Sequence, residues 1–99
     1  MSTNVDSVTV SLYVDTMTMS LNVYNARSLT LLGDALVAMR TRRGLSQSEA
    51  ARRAGVSRQW LNAAESAKTQ GLDVGKLLSL LDFYEARLQI VDDGGAQDA

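Results

Sequence analysis

The chain has 99 residues, which is typical of one small domain, and 45% of them are hydrophobic and 21% charged. These proportions indicate an ordinary folded protein rather than a disordered one. Cysteine and histidine are both absent, which excludes a disulfide framework, a thiolate metal site and the commonest general base. The sequence contains no apolar run of membrane-spanning length and no signal-peptide pattern. We therefore predict a cytoplasmic protein without a cofactor.

Charge is distributed unevenly along the chain, although the formal net charge is only −1. Between residues 28 and 68 there are seven basic and three acidic residues, whereas the chain after Gly71 has six acidic and two basic ones. Phosphate binding depends on the local potential of one face rather than on the total charge. The asymmetry therefore favours a nucleic-acid partner for the first segment, and an uneven scatter of surface charge is the alternative.

Apolar and small polar residues alternate between Val5 and Val23, a period typical of a β-strand. The phase slips by one residue near Asp15 and Thr16, which indicates a turn or a bulge. We predict one or more strands within an N-terminal β extension, residues 1–27. The alternatives are an extension that orders only against a partner chain and a translation start that lies downstream.

A helical period begins at Ser28, where apolar residues recur three and four positions apart. Ser28 or Thr30 can cap this first helix, and it should end near Arg43 with Gly44 as the residue after its cap. A fourth helix should begin at Asp73, and its core-facing residues are Leu77, Leu80, Leu81 and Tyr84. Residues 87–92 alternate again and predict a short strand, followed by a flexible tail at 93–99.

Two further short helices are predicted in the segment LSQSEAARRAGVSRQWLNAAE, near 47–54 and 58–66. Ser46 and Glu49 have the spacing of a capping box, in which each side chain accepts from a backbone N–H at the start of a helix. Gly55 suits the left-handed end of the first of these helices, and Ser57 can cap the second. This pattern is that of a helix-turn-helix, which places its second helix in the DNA major groove.

The segment SQSEAARRAGVS resembles the Xre-type helix-turn-helix domains, and the likeness extends over residues 29–92. Within that class, GVSRQWLNAAE, LDVGKLLSLLDFYEA and RLQIVD are most similar to HipB-like antitoxins. The resemblance implies a mainly α, lambda-repressor-like domain of four to five helices over residues 28–86. It also implies an intertwined homodimer, because an unpaired C-terminal strand would leave its edges exposed. Leu88, Ile90 and Tyr84 are the predicted dimer contacts, and the N-terminal strands could join the same sheet.

The residues predicted to contact DNA are concentrated at the start of the recognition helix, where Ser57, Arg58 and Gln59 lie. Arg58 could bind guanine and Gln59 adenine, each through two hydrogen bonds, and the alternative for Arg58 is a phosphate contact alone. Asn62 is a candidate for a base or a phosphate. The resemblance implies that the Gln47 amide binds a phosphate and braces the reading helix.

A second set of predicted contacts involves the phosphate backbone. By resemblance, Arg40 and Glu65 form a salt bridge that turns Arg40 towards a phosphate, and the alternative is two independent surface charges. Arg43 and Lys68 are predicted phosphate clamps ahead of Arg52 and Arg53. Trp60 is interpreted as a packing residue. Ala67 stands where relatives usually have glycine, so the end of the recognition helix could be shaped differently.

The resemblance implies a homodimeric transcriptional repressor that is also the antitoxin of a HipA-like kinase toxin. Such a protein would bind a palindromic double-stranded operator in its own promoter, with recognition helices about 34 Å apart. A stand-alone or phage-type repressor without a toxin is one alternative. A protein-interaction module that does not bind DNA is another, although the basic segment argues against it. No residue constellation predicts an enzyme.

Overall fold

The computed structural model describes residues 21–94 of the chain. Within this range the chain forms four helices: α1 (Leu29–Arg42), α2 (Gln47–Ala54), α3 (Arg58–Glu65) and α4 (Val74–Phe83). All four lie where the sequence predicts them, and the predicted mainly α helix-turn-helix fold is confirmed. The predicted N-terminal strands before residue 21 and the tail after residue 94 lie outside the described residues.

Each helix begins behind a polar residue whose side-chain oxygen accepts a hydrogen bond from the first turn. These capping residues are Ser28, Ser46, Ser57 and Asp73, with donor–acceptor distances between 2.9 and 3.1 Å. The capping box is only half formed, because Glu49 makes no bond to the Ser46 backbone in the described part of the chain. Its carboxylate instead lies 3.8 Å from guanidinium nitrogens of both Arg52 and Arg53.

Each helix is followed, within two positions of its last residue, by a residue with a left-handed backbone. Two of these residues are the predicted glycines, Gly44 at φ +70° and Gly55 at φ +80°. The other two are not glycines: Ala67 has φ +58° and Glu85 has φ +61°. After α3, Lys68 N–H donates to the Ala63 carbonyl at 3.0 Å and Ala67 N–H to the Ala64 carbonyl at 3.4 Å. This is the Schellman pattern, so Ala67 adopts the left-handed conformation that glycine usually adopts at a helix end.

The core lies where α1 packs on α3 and α2 packs on both α3 and α4. Its largest fully buried side chains are Leu36, Leu61, Leu80 and Tyr84. The two helices α1 and α3 approach closely at Gly33, where an added Cβ would lie 2.5 Å from the Glu65 carbonyl oxygen. No side chain fits between these two backbones, and the sequence analysis did not predict this approach. Among residues 21–94, no helix is long and apolar enough to cross a membrane.

The chain after α4 carries the predicted dimerisation residues. Leu88 and Ile90 are exposed, at 46% and 87% of their surface. Residues 87–92 form no strand in the single described chain. Strand pairing between two chains stays a prediction. Tyr84 is buried, with only 1% of its surface exposed. Its side chain packs in the core of its own chain, as its predicted core-facing position in the fourth helix requires, and its predicted dimer contact stays a prediction.

Candidate nucleic-acid interface

The recognition helix α3 has one face in the core and one face in solvent. Leu61, Ala64 and Glu65 are buried, whereas Arg58, Gln59 and Asn62 are exposed. The burial follows the period of an α-helix, since Leu61 and Ala64 lie three positions apart. The three exposed residues are all among those that the sequence analysis assigned to DNA, and the fold places them together on the outer side of α3.

The start of α3 carries the side chains that are most available to a ligand. Within residues 21–94, neither Arg58 nor Gln59 has a side-chain hydrogen bond or an ion pair. Ser57 is occupied as the cap, since its hydroxyl oxygen accepts from Trp60 N–H at 2.9 Å. The backbone N–H groups of Arg58 and Gln59 have no acceptor in the same range, and such groups at a helix start favour anions. This end of α3 can therefore bind both phosphate oxygens and base edges.

Glu65 holds the other end of α3 in place through its carboxylate. Arg40 donates from Nε to Oε2 at 2.7 Å and from Nη2 to Oε1 at 3.0 Å. The exposed fractions of the two side chains are 15% for Arg40 and 4% for Glu65, so the pair is largely shielded from water. The hydrogen bond to Glu65 raises the pKa of Arg40 above its usual value, against the opposing effect of burial. The salt bridge predicted from the resemblance is present.

The same contacts limit the hydrogen bonds that the Arg40 guanidinium can donate to DNA. Its third nitrogen, Nη1, donates to the Leu45 carbonyl at 2.9 Å. All three guanidinium nitrogens are therefore used inside the protein, and the predicted phosphate contact of Arg40 is not tested by this arrangement. What the geometry does show is that Arg40 joins α1, the loop before α2 and the end of α3.

Gln47 connects the start of α2 to α3. Its Nε2 donates to Glu65 Oε1 at 2.8 Å and lies 3.3 Å from Asn62 Oδ1. The amide nitrogen that was predicted to bind a phosphate thus faces α3, which agrees with the predicted bracing role. The backbone N–H groups of Gln47 and Ser48 have no acceptor in the described part of the chain, and they are the donors that this helix start presents outward.

The Arg43 side chain, a predicted phosphate clamp, bonds to two backbone carbonyls of its own chain. Its Nη1 donates to the Met39 carbonyl at 2.8 Å and its Nη2 to the Tyr84 carbonyl at 2.6 Å. The guanidinium carbon also lies 5.2 Å from the centre of the Tyr84 ring. A guanidinium used in this way satisfies carbonyls at the ends of two helices. Arg43 therefore links α1 to α4, and its predicted phosphate contact stays a prediction.

The remaining basic candidates differ in the contacts that their side chains make. They are Lys68, Arg53 and Arg52. Lys68 is exposed directly after α3, and its ammonium group has no partner within residues 21–94. Arg53 lies over the Phe83 ring, with its guanidinium carbon 5.5 Å from the ring centre. Arg52 is largely exposed beside Glu49. Trp60 is half-buried and packs against the core, as its interpretation as a packing residue predicted. Lys68 is thus the basic side chain best placed to follow a phosphate beside α3.

Tyr84 is a buried polar residue that the sequence analysis did not single out for its hydroxyl group. That hydroxyl has no hydrogen-bond partner among residues 21–94. Burial, together with the nearby negative charge of Glu65, raises the pKa of Tyr84 to about 12. The described residues also contain no group of three or more carboxylate, histidine or cysteine side chains that could hold a metal ion.

Comparison with known proteins agrees with this geometry. A family model described as a helix-turn-helix domain matches residues 31–89 of the chain. The chain belongs to this helix-turn-helix family. No curated protein is similar enough to count as a relative.

Solved structures share the fold of this helix-turn-helix domain. A chain described as "MDT Protein" is 21% identical over 72% of this chain, with a TM-score of 0.62. A chain from the "HipA-HipB-O2-O3 complex" is 21% identical over 72% of this chain, with a TM-score of 0.63. A chain from a complex of a HipB variant with an O2 20mer is 19% identical over 73%, also with a TM-score of 0.63. Each neighbour is covered over 99% of its own length, so the shared fold is the complete fold of those chains.

Proposed function

We propose that this chain is a sequence-specific DNA-binding transcriptional repressor without enzymatic activity. The observation that carries the proposal is that the outer face of α3 presents exposed polar side chains. Arg58 and Gln59 project there without a partner in the described chain, next to unpaired backbone N–H groups. An exposed arginine and glutamine at the start of a recognition helix have the donors that major-groove edges of guanine and adenine accept.

The positive charge of the helix-turn-helix segment also supports DNA as the partner. The segment from residue 28 to residue 68 has a net formal charge of +4, and it contains both helices of the helix-turn-helix. The starts of α2 and α3 each add two unpaired backbone N–H groups, which bind phosphate without reading sequence. Phosphate contacts would then orient the domain on the duplex while the exposed face of α3 contacts base edges.

We also propose that the repressor is a homodimer that acts as the antitoxin of a HipA-like kinase toxin. Two structural neighbours were solved in complexes that contain HipB, one with HipA as well and both with O2. Leu88 and Ile90 are exposed in the single chain, where a second copy could cover them. A dimer would bring two recognition helices to two half-sites of a palindromic operator, one DNA turn apart.

The proposal is tested by measuring binding to the DNA upstream of the gene across a salt series. We expect specific binding that weakens steeply with salt, because the phosphate contacts release counterions. Arg58→Ala should reduce the ratio between specific and non-specific affinity about tenfold or more, as the loss of a two-bond base contact does. Arg87→Ala is the matched control, since it removes the same charge from the chain after α4.

Two outcomes would contradict parts of this proposal. No binding near physiological salt would reject the repressor and favour a protein-interaction module. Binding of equal strength to every duplex would reject sequence recognition and leave phosphate contacts alone. The toxin partner is tested separately, by co-purification with the product of a neighbouring HipA-like gene. Failure of that experiment with DNA binding intact would leave a stand-alone repressor.

A further inference from the structure

The orientation of the Asn62 amide is set by contacts inside the protein. A carboxylate can only accept hydrogen bonds, so the part of the Gln47 amide that faces Glu65 at 2.8 Å is its NH2 group. The same NH2 group lies 3.3 Å from the Asn62 side chain. Turning the Asn62 amide over would bring two NH2 groups face to face. The arrangement with Asn62 Oδ1 towards Gln47 is therefore the favourable one.

The NH2 group of Asn62 is consequently the end that faces away from Gln47. It donates no hydrogen bond to any residue between 21 and 94. Asn62 itself is exposed on the same face of α3 as Arg58 and Gln59. The Glu65 network, by which we mean Arg40, Glu65, Gln47 and Asn62, thus presents a pair of N–H donors to a ligand while the matching oxygen is turned inward.

We infer that Asn62 selects guanine and discriminates against adenine at one position of each half-site, an inference that rests on the proposed DNA-binding function. Guanine presents two acceptors in the major groove, N7 and O6, whereas adenine presents one acceptor and one donor. Asparagine holds adenine with two hydrogen bonds only when its oxygen and its nitrogen both face the base. Because Oδ1 of Asn62 is oriented towards Gln47, that pairing is disfavoured, and the two hydrogens of Nδ2 match guanine.

Gln47 is a positioning residue in this scheme. It touches the amide that contacts the base, and its own orientation is set by Glu65, whose charge is in turn balanced by Arg40. Base preference at the Asn62 position therefore depends on a side chain at the start of α2. A merely structural role for Gln47 would change affinity for all duplexes by the same factor and would leave the preferred base unchanged.

The experiment selects bound duplexes from a library of randomised double-stranded DNA and sequences them. For the wild-type chain we expect guanine over adenine by about tenfold at the position that Asn62 contacts. Asn62→Ala should remove the preference at that position only. Gln47→Met keeps the volume of the side chain but has no donor, so Asn62 can turn over and adenine should compete with guanine. Gln89→Met, outside the helix-turn-helix, is the matched control and should select the wild-type sequence.

Asn62→Asp tests the inference without altering Gln47. Its carboxylate offers acceptors only, so the preferred base should change from guanine to cytosine, whose N4 is a donor. The inference is overturned if Asn62→Ala changes no position, if the wild type selects adenine there, or if Gln47→Met leaves guanine preferred. Each of these results keeps sequence-specific binding and so leaves the proposed function standing. Equal binding of all duplexes by the wild type would instead overturn the proposed function, and this inference with it.

Discussion

Arg40 on α1 and Glu65 in the last turn of α3 form an ion pair with two parallel hydrogen bonds, of 2.7 and 3.0 Å. With Glu65 only 4% exposed, removal of either partner leaves a charge that water cannot solvate well. The pair also joins the first helix to the recognition helix across 25 positions of sequence. The position of α3 therefore depends on this pair.

Arg40→Met should lower the free energy of unfolding by about 3–5 kcal/mol, because it leaves the buried Glu65 carboxylate without its counter-charge. Replacing both residues by methionine should cost less than the sum of the two single changes. Urea unfolding measures each variant. Arg52→Met is the control: its contact with Glu49 is 3.8 Å long and exposed, and its loss should cost no more than about 1 kcal/mol. Equal costs for Arg40→Met and the control would contradict the prediction.

Gly33→Ala should destabilise the fold although alanine is the better helix former. The propensity gain is about 1 kcal/mol, but the added Cβ would lie 2.5 Å from the Glu65 carbonyl oxygen and 2.9 Å from that of Ala64. Neither backbone atom can move without displacing α3, so we expect a net loss of about 1–3 kcal/mol in urea unfolding. Gly71→Ala, where nothing lies within 4 Å of the added atom, should change stability little. A stabilised Gly33→Ala protein would show that the helices separate freely.

Ala67→Gly should stabilise the protein slightly. Ala67 has φ +58°, a conformation that costs a non-glycine residue about 1–2 kcal/mol. Glycine removes that cost but loses more backbone entropy on folding, by about 0.5–1 kcal/mol, so the expected gain is about 0.5–1 kcal/mol. Thermal unfolding should show a higher Tm. Ala63→Gly, within the regular part of α3, is the control and should lower Tm.

Stability should fall at alkaline pH because of Tyr84. Burial raises its pKa to about 12 in the folded chain, from 10.0 in the unfolded one. The folded state thus keeps a proton that the unfolded state releases, so this contribution is complete below pH 10 and is lost as the pH rises towards 12. Urea unfolding at about pH 9 and about pH 11 should show a smaller decrease for Tyr84→Phe than for the wild type. Equal decreases in both proteins would contradict this cause.

Tyr84→Phe also tests, at neutral pH, whether the hydroxyl group of Tyr84 makes a hydrogen bond in the folded protein. Because Tyr84 Oη has no hydrogen-bond partner within residues 21–94, Tyr84→Phe removes a buried polar group without leaving another unsatisfied. Its free energy of unfolding should equal or exceed that of the wild type. A loss above about 1 kcal/mol would indicate that the hydroxyl donates a hydrogen bond in the folded protein.

Lys68→Ala and Arg43→Ala should separate DNA binding from folding. Lys68→Ala should weaken binding equally for all duplexes and reduce the slope of log affinity against log salt by about 0.9, with unchanged stability. Arg43→Ala removes donors to two carbonyl groups and should lower the free energy of unfolding by about 1.5–3 kcal/mol. Below its unfolding temperature its salt slope should equal that of the wild type. A reduced slope for Arg43→Ala would instead show that Arg43 contacts phosphate.

The features that sequence analysis predicted are those set by neighbouring residues. Ser46, Ser57 and Gly55 each act on backbone groups within about five positions, so their roles as caps and helix ends are encoded locally. The half-formed capping box shows the limit of this reasoning. Glu49 has the right spacing for a capping box, but its carboxylate lies beside Arg52 and Arg53. The capping-box pattern does not take account of these two positive charges.

The features that it missed join distant parts of the chain. Arg43 reaches the Tyr84 carbonyl across 41 positions, and nothing near Arg43 in the sequence distinguishes that bond from a phosphate contact. Gly33 gave one signal, a glycine inside an apolar helical period, but its cause is the backbone of α3. The pairing of residues 87–92 requires a second chain and is set by neither the local pattern nor the single protomer.

The carboxylate of Glu65 bonds to Arg40 and Gln47 and its carbonyl lies against Gly33, so the last turn of α3 is held both by its side chain and by its backbone. A reading helix held in this way adjusts its own position to an imperfect site less readily than one that rests on side-chain packing alone. Mismatch must then be absorbed by bending or twisting of the duplex, whose cost depends on base steps that the protein does not touch. Under the proposed function, the operator should accordingly favour particular deformable steps between the half-sites as well as particular bases within them.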